Sequence, residues 1–273
     1  MAYPTFDLPQ RRRLTLPKWQ GGWLQALAAR YGLLLGFLVL WQVAASTGLV
    51  NPTVFPPLDK IATALIEALA KGRLWGDMAI SLQRSGIAFA AAVALGVPLG
   101  LLMGQIRPIE RALDPILQFF RQTSALALYP VFILLLGLGE TSKVFVIFWA
   151  TLFPILLATI GGVKEVDCKL IEMAHAFGAA RFVIFTRIVP PAAVPAIFVG
   201  LRLSATTALL LLIAAEMIGA NSGLGFQVMN AQYNFEIPLM FAAIFLLAFL
   251  GLAANALVIA AQRRLRRWPD INA

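Results

Sequence analysis

Six apolar runs constrain this chain more than any other feature. They lie at residues 31–50, 85–103, 125–138, 144–163, 197–218 and 237–261. Most approach the ~20 residues a helix needs to cross a hydrocarbon core. The third is shorter, but it can be extended backwards through Leu117 and Phe120. Polar and turn residues punctuate the series: Asn51-Pro52, Gln105 with Arg107, and Gly161-Gly162 before Lys164. Strands of a membrane barrel would alternate in polarity over segments of about ten residues. Residues 144–157 and 241–252 do not alternate, so the expected fold class is an all-α integral membrane protein with six transmembrane helices. Hydrophobic residues make up 60% of the chain and charged ones 13%, too little charge to wrap a water-soluble surface. Disordered proteins, disulfide scaffolds and ordinary cytosolic enzymes are excluded on that ground.

Net charge is +9, yet the cations are scattered between apolar blocks, which argues for membrane orientation and against nucleic acid. With both termini cytoplasmic, the outer segments hold Lys60, Lys71, Arg73, Arg84 and Lys143, leaving 17 of the 22 basic residues inside. That bias orients the chain across its membrane. Three regions follow: a cytoplasmic tail over 1–30, the membrane domain over 31–262, and a basic cytoplasmic tail over 263–273. Within the first, Trp19, Trp23 and Leu24 beside Lys18 and Arg30 suggest an interfacial elbow. Arg11, Arg12 and Arg13 precede an apolar stretch too long for a secretion signal, so that stretch is read as a retained span. Between the first two spans, Leu58, Ile61, Leu65 and Leu69 share one face of an expected outer-surface helix, lying along the membrane or against its own bundle.

The longest cytoplasmic connection, 164–195, carries the most specific pattern. Asp167 suits a helix N-cap, and Leu170, Ile171, Ala174 and Phe177 follow at helical spacing. Gly178 stands where that helix would end, and a second short helix is expected from about 179 to 188, stopped by Pro190-Pro191. The predicted result is a helix–glycine–helix elbow.

Glu172-Met173-Ala174, Gly178 and Ile188-Val189-Pro190-Pro191 resemble the E-A-A, three residues, G, nine residues, I-x-L-P motif of permease subunits in binding-protein-dependent ABC importers. Met173 and Pro190 depart from it; the glutamate, the glycine and the closing proline are retained. Leu136-Gly137-Leu138-Gly139-Glu140-Thr141-Ser142-Lys143, Ala214-Ala215-Glu216-Met217-Ile218-Gly219-Ala220 and Asn221-Ser222-Gly223-Leu224-Gly225-Phe226 resemble the nitrate, sulfonate, taurine and bicarbonate branch. The similarity covers roughly residues 81–268. It implies a type I ABC importer transmembrane domain whose cytoplasmic coupling helix docks into a separate ATPase subunit. By resemblance Glu172, Ala174, His175, Gly178, Ile188 and Pro191 belong to that contact. The implied partners are two ATPase subunits, a second permease (a homodimer is expected), a periplasmic or lipid-anchored binding protein and membrane lipid. The implied cargo is a small anion: an aliphatic sulfonate or taurine first, then nitrate, with an aromatic acid or pyrimidine precursor as further options.

Chemistry within the chain itself is not expected. No lysine follows a glycine, so the phosphate-cradling loop of a nucleotide hydrolase is absent, and ATP with its magnesium is assigned to the partner. One histidine, His175, and one cysteine, Cys168, supply neither a metal site nor a nucleophile–base pair, so no catalytic residue is assigned. Candidate pathway or gate residues are Arg84, Gln122, Thr123, Tyr129, Ser204, Thr207 and Glu216. Each has a plainer alternative. Glu216 could instead pair with Arg84 or Lys143, Arg84 could snorkel to headgroups, and the hydroxyl groups could hold helices together. Gly96, Gly100 and Gly104, at four-residue steps, fit close helix approach. The rival from another class is an ion-gradient-driven transporter or channel, which would place carboxylates near mid-membrane in matched repeats.

Overall fold

The computed structural model describes residues 23–265, with side chains from 32 to 264. The anticipated N-terminal elbow around Trp19 and most of the C-terminal tail lie outside the described residues. The chain divides into two compact units, residues 1–58 and 59–273. In the first, α1 (Trp23–Ser46) is followed by an irregular segment that returns to it. Trp41 donates its indole N–H to the carbonyl of Pro56 at 3.1 Å and stacks on Phe55, and the Gln42 amide oxygen accepts from the Leu58 N–H at 2.7 Å.

The second unit is wholly helical among the described residues. It contains α2 (Leu58–Ala70), α3 (Arg73–Gln105), α4 (Arg107–Gln122), α5 (Ala125–Leu136), α6 (Glu140–Lys164), α7 (Cys168–Ala176), α8 (Arg181–Val183), a π-helical turn (Ile184–Ile188), α9 (Val189–Gly219), α10 (Leu224–Tyr233) and α11 (Ile237–Leu265). Because α8, the π turn and α9 are continuous, four helices are long and apolar enough to cross a membrane: Arg73–Gln105, Glu140–Lys164, Arg181–Gly219 and Ile237–Arg264.

All six expected apolar runs lie in helices, and three of them differ in detail from the expectation. The third is no straight rod: α4 and α5 meet at a 99° bend, the geometry of a broken span or a re-entrant loop. Thr123 and Ser124 are extended there, and the Ser124 hydroxyl caps α5 by accepting from the Ala127 N–H. The first corresponds to α1, whose apolar part among the described residues, Gly32–Ser46, is shorter than a full crossing. The second begins 12 residues earlier than its hydropathy suggested, at Arg73, because polar Asp77, Ser81 and Arg84 find partners inside the protein.

Helix α6 is the axis of the second unit, packed against α3 on one side and α9 on the other. Gly96, Gly100 and Gly104 of α3 face Ile155, Thr159 and Val163 of α6; a Cβ on Gly100 would sit 2.6 Å from that of Thr159. On the other flank, a Cβ on Gly162 would come 2.5 Å from the Ala196 Cβ. Small residues thus let three backbones approach closely, which dispersion then rewards. Of the two placements expected for α2, the one against its own bundle is found: Ala68, Leu65 and Leu69 pack against α10 and α11.

Candidate functional site

Chemistry-bearing residues gather at three places along the second unit: the elbow, the opposite end of α3, α6 and α9, and the bend between α4 and α5.

At the elbow, α7 starts as its sequence dictates. The Asp167 carboxylate accepts from the Lys169 N–H at 2.9 Å. It ends in a paired closure, with the Ala179 N–H donating to the carbonyl of Ala174 and the Gly178 N–H to that of His175. Such a closure requires a left-handed residue, and Gly178 has φ +79°. Leu170, Ile171 and Ala174 pack on the ends of α6 and α9, as does half-buried Ile188. Phe177, expected on that apolar face, is instead 91% exposed, because it follows the last helical turn. With Met173 and Phe182 it forms an apolar patch beside exposed Glu172 and His175.

Pro190-Pro191 do not stop a helix there, contrary to expectation. They occupy the first turn of α9, where a missing N–H costs least. The chain before them widens into the π turn, in which the Val189 N–H reaches back to the carbonyl of Ile184. Widening relieves the clash that proline imposes on the preceding turn. Pro191 lies exposed on the continuous rod running from the elbow into the bundle.

At the opposite end, Arg84 is 2% exposed and spends all five of its N–H groups. Its Nε donates to Glu140 Oε2 at 2.5 Å and Nη2 to Glu140 Oε1 at 2.6 Å, a two-pronged ion pair. Nη1 donates to Glu216 Oε1 and to the Ser222 carbonyl, both at 2.7 Å, and Nη2 reaches Ser222 Oγ at 3.2 Å. Glu216, 1% exposed, also accepts from Ser81 and from the Gly225 N–H at 2.8 Å. Asp77 completes the clasp, accepting from the Gly223 N–H at 2.6 Å and from the Gln227 amide at 2.7 Å. Lys143 lies 3.5 Å from Glu140, so two cations face two carboxylates around Arg84.

Three sequence motifs meet in this clasp. Glu140 and Lys143 come from the start of α6, Glu216 from the end of α9, and Ser222, Gly223 and Gly225 from the turn into α10. Gly223 has φ +111°, and a Cβ there would overlap the Glu216 carboxylate. Arg84 stands 21 residues before the end of α3, about 31 Å along the helix, close to the ~30 Å of a hydrocarbon core. The clasp therefore sits at one edge of the apolar slab. Holding no unspent N–H in this conformation, Arg84 offers an anion nothing until the clasp opens. Sequence reasoning singled out Arg84 and Glu216 but missed Asp77 and Ser81, which sit at helical spacing before Arg84 on α3.

The remaining pathway candidates divide. Tyr129 is fully buried and donates to the Ala215 carbonyl at 3.4 Å; Ser204 is buried and donates to the Thr151 carbonyl at 2.8 Å, tying α9 to α6. Thr123 and Thr207 line a cavity of about 410 Å³ at the α4–α5 bend, walled by Phe120, Trp149, Phe153 and Leu211 and bordered by Arg121. Gln122 is exposed at the same bend. No cluster able to hold a metal ion occurs among the described residues.

Residues 96–268 match the family described as binding-protein-dependent transport system inner membrane component. The chain is 39% identical over 231 residues to a probable ABC transporter permease protein of Brucella abortus (strain 2308), covering 84% of this chain and 91% of that one. It is 37% identical over 246 residues to a putative aliphatic sulfonates transport permease protein of Escherichia coli (strain K12), covering 90% and 93%. Among solved structures, it resembles the inward-facing methionine ABC transporter MetNI with a TM-score of 0.58 at 21% identity, over 69% of this chain and 94% of that chain.

Proposed function

Because the chain belongs to the binding-protein-dependent transport system inner membrane component family, and is thus the permease subunit of an ABC importer in a multi-pass inner-membrane setting, we propose how its parts divide the work. Two copies form the conduit. Each docks one ATPase subunit through the elbow, seating Met173, Phe177 and Phe182 with Glu172 and His175 in a groove on that partner. A binding protein delivers cargo at the end carrying the Arg84 clasp. Closure of the ATPase pair draws the two elbows together, and ATP shifts the population between inward-open and outward-open states by binding one state more tightly.

The observation that carries this reading is the elbow. An exposed apolar patch that runs from a short helix, across a glycine-dependent closure, to the first residues of a 39-residue helix suits an element that passes force from a partner into the bundle. Gly178 has open space around it, so its substitution perturbs the elbow without disturbing a core. Gly178→Asp and Glu172→Lys are expected to lower co-purification of the ATPase subunit at least tenfold while the permease keeps its own melting temperature. Undiminished co-purification and undiminished ATPase activity in both variants would sink the assignment of the elbow.

The cargo is proposed to be a small organic or inorganic oxyanion, an aliphatic sulfonate or taurine before nitrate. Support comes from the name of the Escherichia coli relative. Uptake of labelled butanesulfonate, taurine and nitrate by cells with and without the gene tests it. Equal uptake of all three by both strains would count against it.

A further inference from the structure

The charged face of α4 belongs to neither the elbow nor the Arg84 clasp. Arg107, Arg111, Asp114, Gln118 and Arg121 recur at steps of four and three residues, so they share one side of the helix. They form a ladder, with Gln118 donating to Asp114 at 3.4 Å and Arg121 donating to the Gln118 oxygen at 2.8 Å. All five are exposed.

From sequence Arg107, Arg111 and Arg121 count among the cytoplasmic cations, although the third apolar run extends back through Leu117 and Phe120; in the fold the whole stretch climbs along α6. Glu110 pairs with Lys164 at the end of α6, Leu117 packs by Leu156 and Ile160, and Phe120 meets Trp149 edge-on at 4.9 Å. Arg121 borders the cavity beside Ala150, the eleventh of the 25 residues of α6. That level is about 15 Å from one end of α6 and about 21 Å from the other, near the middle of the slab. A guanidinium at such depth is costly against lipid and marks a polar path. The other exposed side of α4 is apolar, with Ile116 and Phe119, and suits contact with lipid instead.

We propose that the charged face of α4 lines the water-filled conduit, and that Arg121 with the adjoining cavity forms a mid-membrane site for an organic oxyanion. The anionic head meets Arg121, whose one recorded hydrogen bond is to Gln118 and whose other N–H groups remain to serve it. The hydroxyl groups of Thr123 and Thr207 already donate to the carbonyls of Phe119 and Leu203, so they hold no proton for the oxyanion and Arg121 is its donor. The apolar body lies against Phe120, Trp149 and Phe153, walls that give a bare inorganic anion no gain. Organic anions are thereby favoured over nitrate. This inference rests on the permease reading and names the ligand class of its conduit.

Cysteine accessibility in permeabilised membranes tests it, using the full chain with Cys168 replaced by serine. Gln118→Cys is expected to react with hydrophilic methanethiosulfonates at least tenfold faster than Phe119→Cys on the lipid side. An inert Gln118→Cys, or one that cross-links between copies, would mean that a second subunit seals this face and would overturn the conduit. At Thr123→Cys, the preference for the anionic over the cationic reagent should fall on the order of tenfold with Arg121→Gln, because one charge acts oppositely on the two reagents. Arg121→Lys should restore it; an unchanged preference would remove Arg121 from the site. Sodium butanesulfonate should protect Thr123→Cys at least fivefold better than sodium nitrate at equal ionic strength, and equal protection would overturn the apolar-wall argument. Loss of ATPase co-purification by the parent chain is read separately and would strike only the assembly.

Discussion

Arg84 and Arg121 both lie within the apolar part of the second unit, and the fold treats them in opposite ways. Arg84 is enclosed, with every N–H matched to a carboxylate, a carbonyl or a hydroxyl. Arg121 is exposed at the edge of a cavity and leans on one glutamine. A buried, saturated cation holds parts together; an exposed, unsaturated one has capacity left for a ligand. The count of spent donors separates the two arginines, one at the edge of the slab and one near its middle.

The sharpest way to break this contrast is to empty the clasp. Arg84→Met leaves the Glu216 carboxylate buried without its cation, a defect of about 3–5 kcal/mol by the rule for one-sided loss of a buried pair. The expected result is a permease that fails to accumulate or melts far below the parent in detergent, read by fluorescence-detected gel filtration after heating. Adding Glu216→Leu to Arg84→Met should recover part of the loss, since replacing a whole buried pair costs far less than halving it. If the double variant is no better than the single one, the two residues are not coupled and the clasp is misdescribed.

A smaller effect is expected at the turn that closes the clasp. Gly223→Ala meets both a left-handed backbone and the Glu216 carboxylate, so the turn must shift. A strained backbone of this kind costs about 1–3 kcal/mol. Asp77→Asn supplies the milder comparison. It keeps an oxygen to accept from either the Gly223 N–H or Gln227, and its loss should stay near 1 kcal/mol. Thermal stability ranking Gly223→Ala above Asp77→Asn in damage is the expected order; the reverse would shift the weight of the clasp from the turn to α3.

Much of this was legible in the amino acids. Hydropathy placed the long helices, the four-step glycines marked the contact of α3 with α6, and Gly178 marked the end of α7. What stayed hidden depended on three-dimensional partners. Residues 73–84 looked too polar to belong to a span, because nothing in local sequence says that Asp77, Ser81 and Arg84 will find Gly223, Glu216 and Glu140 about 60 to 150 positions away. The prolines at 190 and 191 read as a stop because local rules are blind to a π turn that absorbs them. Arg121 was overlooked because it sits among the basic residues that orient the chain. Its steps of three and four from Arg111, Asp114 and Gln118 were the signal that it belongs to a helical face rather than a loop.

The smallest expected effect closes the contrast from the other side. Arg121→Gln removes an exposed charge whose single recorded partner, Gln118, is itself exposed. Surface substitutions of this kind change stability by about 0.5 kcal/mol or less. Melting temperature should therefore stay within a degree or two of the parent, while the charge preference of the cavity collapses. A residue that kept the fold together could not show both results, because its loss would be felt in every probe of the folded state. Should Arg121→Gln instead melt as early as Arg84→Met, the two arginines would be doing the same structural job, and donor counting would fail as the criterion that separates them.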